Sequence, residues 1–247
     1  MKRSPAPSNR MATRTAYPGI REVTKARILG YHSRSVELLR AVGITGLLLA
    51  APSLVPGAPG AADELARRIE DRHRRASDLT ARFVQTYRSG VLGREIVERG
   101  ELSMKRPGRM RWEYKDPEKK LFVSDGKTFY FYVPADRQVV VREQAGEHGV
   151  TTLLLSGQGD ILDHFEAALE EGAAGRQWLR LTPRKRDADV DTVLLEVDQT
   201  AQIRGIEVMD AQGNRSRFRF EDVRENVGLS DKLFRFDIPS GVEVISG

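Results

Sequence analysis

The sequence predicts a mainly β protein built as one antiparallel sheet curled into a barrel or half-barrel. Three observations predict it. Apolar and polar residues alternate with a period of two along about ten or eleven short runs between Leu79 and Ile238. Gly, Pro, Asn and Asp clusters separate these runs at hairpin spacing. Helical periodicity is confined to two stretches, so there is no strand–helix alternation of the parallel kind. No internal repeat and no interdomain linker interrupts the pattern.

Taken in order, Asp63 to Ala76 is helical in composition, with Leu65, Ile69 and Ala76 as a thin apolar stripe. Its Arg72–Arg75 run reads as a solvated face. The first strand places Leu79, Ala81 and Phe83 on one side and Thr80 and Arg82 on the other, and Gly90 and Gly93 mark a turn. Leu102 and Met104 then share a face opposite Glu101, Ser103 and Lys105. Pro107-Gly108 breaks that strand, because proline cannot donate to the ladder. Met110, Trp112 and Tyr114 share the next face, opposite Arg109, Arg111 and Glu113. Asp116-Pro117 turns, Leu121 and Val123 alternate with Phe122, and Asp125-Gly126 is a strong hairpin signal. Phe129–Val133 is apolar on both faces, and Val139–Val141 closes this meander.

The pattern changes after Leu153-Leu-Leu155. Ile161, Leu162, Phe165 and Leu169 fall on one helical face, with Asp160 as N-cap and Gly172 as the stop, which predicts one amphipathic helix. Strands then resume at Leu179 and Leu181, at Val193, Leu195 and Val197, and at Ile206 and Val208. Arg215, Arg217 and Arg219 alternate with Ser216, Phe218 and Phe220, which reads as a solvated arginine stripe over buried rings. Phe234, Phe236 and Ile238 form the last predicted strand face.

Charge is divided along the chain. The 247 residues carry a net charge of +5, but residues 1–61 alone hold nine Lys/Arg against two Asp/Glu. The remainder, with 31 Lys/Arg and 33 Asp/Glu, is slightly acidic. This argues against a nucleic-acid partner, which requires a clustered positive surface. The first segment is basic, then apolar over Ala41–Ala51, then rich in Pro, Gly and Ala. That is the order of a secretory signal peptide, with cleavage expected near Ala61 or Ala62. The apolar run spans only about 16 Å as a helix, short of a hydrocarbon core of about 30 Å. Residues 62–247 then form a single exported domain. With no cysteine, it holds no disulfide and no lipid-bearing cysteine. His73, His148 and His164 are not at metal-ligand spacing from one another.

Catalytic motifs are missing: no G-x-S-x-G, no H-E-x-x-H, no P-loop. Asp160, Asp163 and His164 read as helix-start acids and a surface histidine. Asp187, Asp189 and Asp191 alternate like a calcium loop, but Thr192 and Asp198 stand where it needs glycine and glutamate. Neither a metal nor a cofactor is expected. Arg106 is the exception worth weighing. By parity it shares the apolar face of Leu102 and Met104, and a guanidinium there needs acceptors. It either snorkels to water at the strand end or bonds backbone carbonyls of a segment covering the concave face.

Five pieces, in order, resemble the LolA family of outer-membrane lipoprotein carriers: Phe83-x-Gln85, Lys105-Arg106-Pro107, Arg111-Trp112-x-Tyr114, Val123-Ser-Asp-Gly-Lys127 and Tyr132-x-Pro134. The resemblance spans roughly residues 63–245. It implies an unclosed antiparallel β-barrel with an N-terminal helix and a short helical lid over an apolar cavity. It also implies a periplasmic, non-enzymatic role as a monomeric carrier, moving acylated lipoproteins from an inner-membrane ABC transporter to an outer-membrane receptor. Arg106 matches the family arginine that bonds to the lid. Phe83, Leu102, Met104, Met110, Trp112, Tyr114, Leu195 and Phe218 are the candidates for the acyl-chain cavity, and Ile161, Leu162, Phe165 and Leu169 for the lid helix. Two other classes stay open: a lipid- or lipoprotein-sensing regulatory domain of the same fold, and a hydrolase using Asp and His.

Overall fold

The computed structural model describes residues 60–143, 150–156, 160–172, 177–187 and 189–246. The expected leader lies outside the described residues up to position 59, and His148 lies outside them too. Helix α1 spans Ala61–Arg75. Strands β1 (Asp78–Arg88), β2 (Glu95–Lys105), β3 (Arg109–Asp116), β4 (Lys120–Asp125), β5 (Thr128–Val133) and β6 (Gln138–Glu143) follow as a meander. Helices α2 (Val150–Ser156) and α3 (Ile161–His164) interrupt it. Strands β7 (Phe165–Glu171), β8 (Gln177–Pro183), β9 (Thr192–Val197), β10 (Ile203–Met209) and β11 (Arg215–Glu225) form a second meander, and β12 (Glu243–Ser246) ends the chain.

The twelve strands make one sheet in the order β12-β6-β5-β4-β3-β2-β1-β11-β10-β9-β8-β7. Pairing of β1 with β11 joins the two meanders, so the sheet has two edges, β12 and β7, and is not closed. All neighbours are antiparallel except β12 and β6.

Cross-strand register explains which face is apolar. Ala81, Leu102, Trp112, Phe122, Phe131 and Val140 lie in one row across six strands. Phe218, Ile206, Leu195 and Leu179 continue the face on the other half. These rows feed one buried cluster with Leu65, Ala66 and Ile69 of α1 and Leu154 and Leu155 of α2. Each fully buried large apolar side chain contributes about 1.5–3 kcal/mol. Helix α1 forms because Leu65, Ala66, Ile69 and His73 fall on one face, with Asp63 and Glu64 at its positive end and basic residues in its last turn. It packs on β7, β8 and α3.

A second, smaller layer lies on the opposite face. There a 3₁₀ turn, Asp231–Phe234, sits against β3 and β4. Phe234 is fully buried, and the Phe236 ring lies 5.4 Å from the rings of both Tyr130 and Tyr132.

Three sequence expectations are corrected. The helix expected from Asp160 to Gly172 lasts only from Ile161 to His164, so Phe165 and Leu169 sit on β7 rather than on a lid helix. The stretch satisfies both periods. Phe165, Ala167 and Leu169 also alternate with polar or small residues, and pairing with β8 supplies the hydrogen bonds that decide between them. The strand expected at Phe234–Ile238 is instead a 3₁₀ turn and an extended segment, while α2 and β12 were not anticipated. The Arg72–Arg75 run is not uniformly solvated: Arg74 and Arg75 are exposed, but His73 is buried and Arg72 is half-buried.

Candidate functional site: an apolar concave face under a hydrogen-bonded cover

All eight residues expected to line an apolar cavity are buried in the same cluster. Phe83 is its centre. Its ring centroid lies 5.1 Å from that of Trp112 and 4.8 Å from that of Tyr114, both edge-on, the favoured aromatic geometry. Trp112 in turn meets Phe218 at 5.4 Å, and Phe122 stacks on Phe131 at 4.3 Å. The aromatic surface therefore runs continuously from β11 across β1, β3, β4 and β5. Gly100 makes this possible. It stands between Phe83 and Tyr114 in the register, and a Cβ there would lie 2.6 Å from Phe83 Cζ and 2.2 Å from the Glu113 carbonyl oxygen. Only a residue without a side chain lets the Phe83 ring cross β2 to reach β3.

The cover is held by polar contacts from α1. The Arg106 guanidinium donates to the backbone carbonyl of His73 in the last turn of α1. The Arg106 backbone N–H donates to the Ser77 carbonyl at 3.0 Å, which fixes the strand end beneath the helix. His73 Nδ1 lies 2.9 Å from the Leu154 carbonyl of α2 and must carry the proton, since a carbonyl only accepts. His73 Nε2 is then an unprotonated acceptor, buried without a hydrogen-bond partner among the described residues. Burial holds the imidazole below its ordinary pKa, partly opposed by the Leu154 carbonyl and the Glu225 charge. One turn earlier, buried Glu70 accepts the Ile161 N–H of α3 at 2.5 Å. Burial raises this carboxyl above its ordinary value. This contact replaces the side-chain cap expected from Asp160, which makes none.

Sequence reasoning did not find Glu70 and His73, because charged and histidine positions inside a basic run read as surface. A usable signal was their spacing: they continue the Leu65–Ile69 face of the helix at Ala66, Glu70 and His73. Arg72 was missed in the same way. Its guanidinium grips the Glu225 carboxylate with two bonds of 2.9 Å and the Gln202 side chain at 3.0 Å, tying α1 to β11 and to the loop before β10. The arginine stripe Arg215, Arg217 and Arg219 is exposed, as expected. Asp187 caps the Asp189 N–H in a local turn, and among the described residues no three His, Cys, Asp or Glu side chains group as metal ligands.

An open, curled β-sheet with an apolar concave face and short helices across it defines a half-barrel with a buried aromatic interior. The chain belongs to the LolA family: the model of the outer membrane lipoprotein carrier protein LolA matches residues 74–237. A protein from Nitrosospira multiformis named outer-membrane lipoprotein carrier protein is 35% identical over 69% of this chain and 83% of its own. One of the same name from Pseudomonas aeruginosa is 32% identical over 85% of this chain and 99% of its own. Among solved structures, a LolA superfamily protein from Nitrosomonas europaea has a TM-score of 0.41 at 13% identity, over 71% of this chain and 97% of that one.

Proposed function

We propose that this protein is a soluble periplasmic carrier, freed from its leader near Ala61 or Ala62, that holds the acyl chains of lipoproteins on its concave face. In this reading it collects them at an inner-membrane ABC transporter and delivers them to an outer-membrane receptor. The observation that carries the reading is the continuous aromatic face beneath a cover held by a few hydrogen bonds. Membership of the LolA family and the names of its curated relatives support it.

The physical logic is solvation. One sixteen-carbon chain costs on the order of 12 kcal/mol to expose to water, at about 0.8 kcal/mol per CH₂. A lipoprotein released into the aqueous space therefore needs a second apolar solvent. Phe83, Trp112, Phe122 and Phe218, with Leu102, Met104 and Met110 around them, offer one once α1 and α2 move aside. Two methionines at the Arg106 end suit a surface that must fit chains of varied shape. Opening breaks hydrogen bonds of about 1 kcal/mol each net, and the burial that Leu65, Ile69, Leu154 and Leu155 give up is replaced by that of the entering acyl chain. Arg106 is the lock in this scheme, and Ile161 and Leu162 of α3 belong to the cover with α2.

The test is direct. The purified protein, mixed with an acylated lipoprotein in detergent and freed of detergent, should keep the lipoprotein in solution as a one-to-one complex. Lipoprotein that precipitates equally with and without the protein would overturn the reading, and turnover of the cargo would replace it with an enzyme.

A further inference from the structure

We propose that a line of buried and half-buried polar side chains at one end of the concave face limits how far an acyl chain can extend, so that the protein selects cargo by chain length. This rests on the carrier reading above.

The line is built across the sheet. Glu98 on β2 has the parity of Gly100, Leu102 and Met104, so it belongs to the concave face. Lys120 stands opposite Tyr114 and has the parity of Phe122. The Lys120 ammonium lies 2.5 Å from the Glu98 carboxylate, with only 12% and 7% of the two side chains exposed. It also lies 4.6 Å from the centroid of the Tyr114 ring. The Tyr114 hydroxyl donates to Gln85 Oε1 at 2.6 Å, and Gln85 Nε2 donates to Ser216 Oγ at 3.0 Å. A chain of polar groups thus runs from β4 to β11, next to the rings that form the apolar surface.

The other end of the face is where the cover is tied, by Arg106 and His73. Between the two ends the surface is apolar: Met104, Met110, Leu102, Trp112, Phe122 and Phe83. From Met104 to Glu98 is six residues along one strand, about 20 Å at the strand rise. A chain inserted from the Arg106 end gains affinity with each methylene until its methyl end reaches the ion pair. Beyond that point it must separate two buried charges or lie against them, and apolar carbon compensates neither. A buried ion pair is weak as a device for stability, since apolar replacement of both partners is often neutral. As an end stop to an apolar track it has a use that packing alone does not explain.

The experiment measures displacement of a fluorescent fatty acid from the purified protein by N-acylglycines with saturated chains of about twelve to about twenty carbons. Affinity should rise roughly fourfold per added CH₂ and then stop rising at a definite length. At that length, a chain ending in a hydroxyl should bind more tightly than its methyl-ended counterpart, because it can join the Glu98–Gln85 line. In the double variant Glu98→Leu, Lys120→Met the break should move to longer chains by two carbons or more. A wild-type series that rises without a break, or a hydroxyl-ended chain that binds more weakly at the limit, overturns the proposal whatever the variant does. A folded double variant with the break unmoved also overturns it. If no chain displaces the probe at any length, the carrier reading falls together with it.

Discussion

Arginine suits a lock because its guanidinium stays charged at any pH the protein meets and can only donate. Arg106 uses that property on the His73 carbonyl, a backbone atom, so the bond depends on the position of α1 and not on its side chains. Arg106→Leu should leave acyl binding intact and loosen the cover by about 1.5 kcal/mol, the low end of the range for hydrogen bonds to charged groups. Hydrogen exchange of α1 and α2 amides would speed up by roughly tenfold, and transfer to acceptor membranes would slow. Unchanged exchange would reduce Arg106 to a rim residue. His73 adds a dependence on pH. Buried and neutral in the closed form, it faces Arg72 on its own helix, Arg106 on the sheet and Glu225 on β11. Its pKa is lowered by burial, so the open or unfolded chain binds the extra proton below about 6.5. Its contribution to stability is complete above that pH and is lost as pH falls. Glu70 acts in the opposite sense: its raised pKa gives a contribution complete below 4.5 and lost as pH rises. His73→Leu keeps the carbonyl that Arg106 grips and removes the titration. The variant should therefore lose the acid-side fall in melting temperature between about pH 6.5 and 5, where wild type weakens. Identical slopes in the two proteins would show that His73 does not titrate against the closed form.

At the scale of elements, the C-terminal segment is anchored where it leaves β11 by a compact set of polar contacts. The buried Asp78 carboxylate at the start of β1 accepts the backbone N–H groups of Val227, Gly228 and Leu229 at 2.7, 3.1 and 2.9 Å. Lys105 on β2 adds a bond to the Leu229 carbonyl at 2.6 Å and an ion pair to Asp231. Together they aim the chain at the back of β3 and β4, where Phe234 is buried. Asp78→Ala should cost about 2–4 kcal/mol in denaturant unfolding, since three donors lose a charged acceptor. It should also open the 226–246 segment to proteolysis before the sheet unfolds. A loss under about 1 kcal/mol would mean that Phe234 packing holds the segment unaided. These elements also show what could be read from sequence. Strands β1 to β3 were legible because apolar and polar residues alternate along them, and β4 to β6 because their apolar runs are bounded by turn residues. β7 was not, because Phe165 to Glu171 satisfies two periods and only its partner strand decides. β12 was not, because its four residues pair with a strand about a hundred positions earlier, and nothing local announces that. The burial of the eight interior residues agrees with the faces that parity groups; parity also marked Arg106 as out of place on an apolar face, but only the family resemblance pointed to a bond with the cover. His73 and Glu70 did not, since their partners are backbone atoms of distant segments.

For the molecule as a whole, an open sheet with two edges and a cover tied by a small set of polar contacts would let the proposed carrier combine tight holding with opening. In the proposed carrier, the aromatic face would supply the holding, with a strength that scales with the number of methylenes buried, about 0.8 kcal/mol each. The cover would supply the opening: it is tied by bonds at Arg106, His73, Glu70 and Arg72, and the apolar surface that Leu65, Ile69, Leu154 and Leu155 uncover on moving would be taken up by the cargo. Because these two properties would reside in different parts of the fold, the carrier reading expects that opening the cover does not by itself release a cargo into water. Release requires another apolar solvent within reach of the open face. Dilution of a preformed complex into plain buffer should therefore leave the cargo bound over hours, while the same dilution into buffer with lipid vesicles should transfer it within minutes. The transfer rate should rise with vesicle concentration, because the acceptor takes part in the step. A cargo that leaves equally fast with and without vesicles would show simple dissociation, and the concave face would then be too weak a solvent to carry acyl chains between membranes.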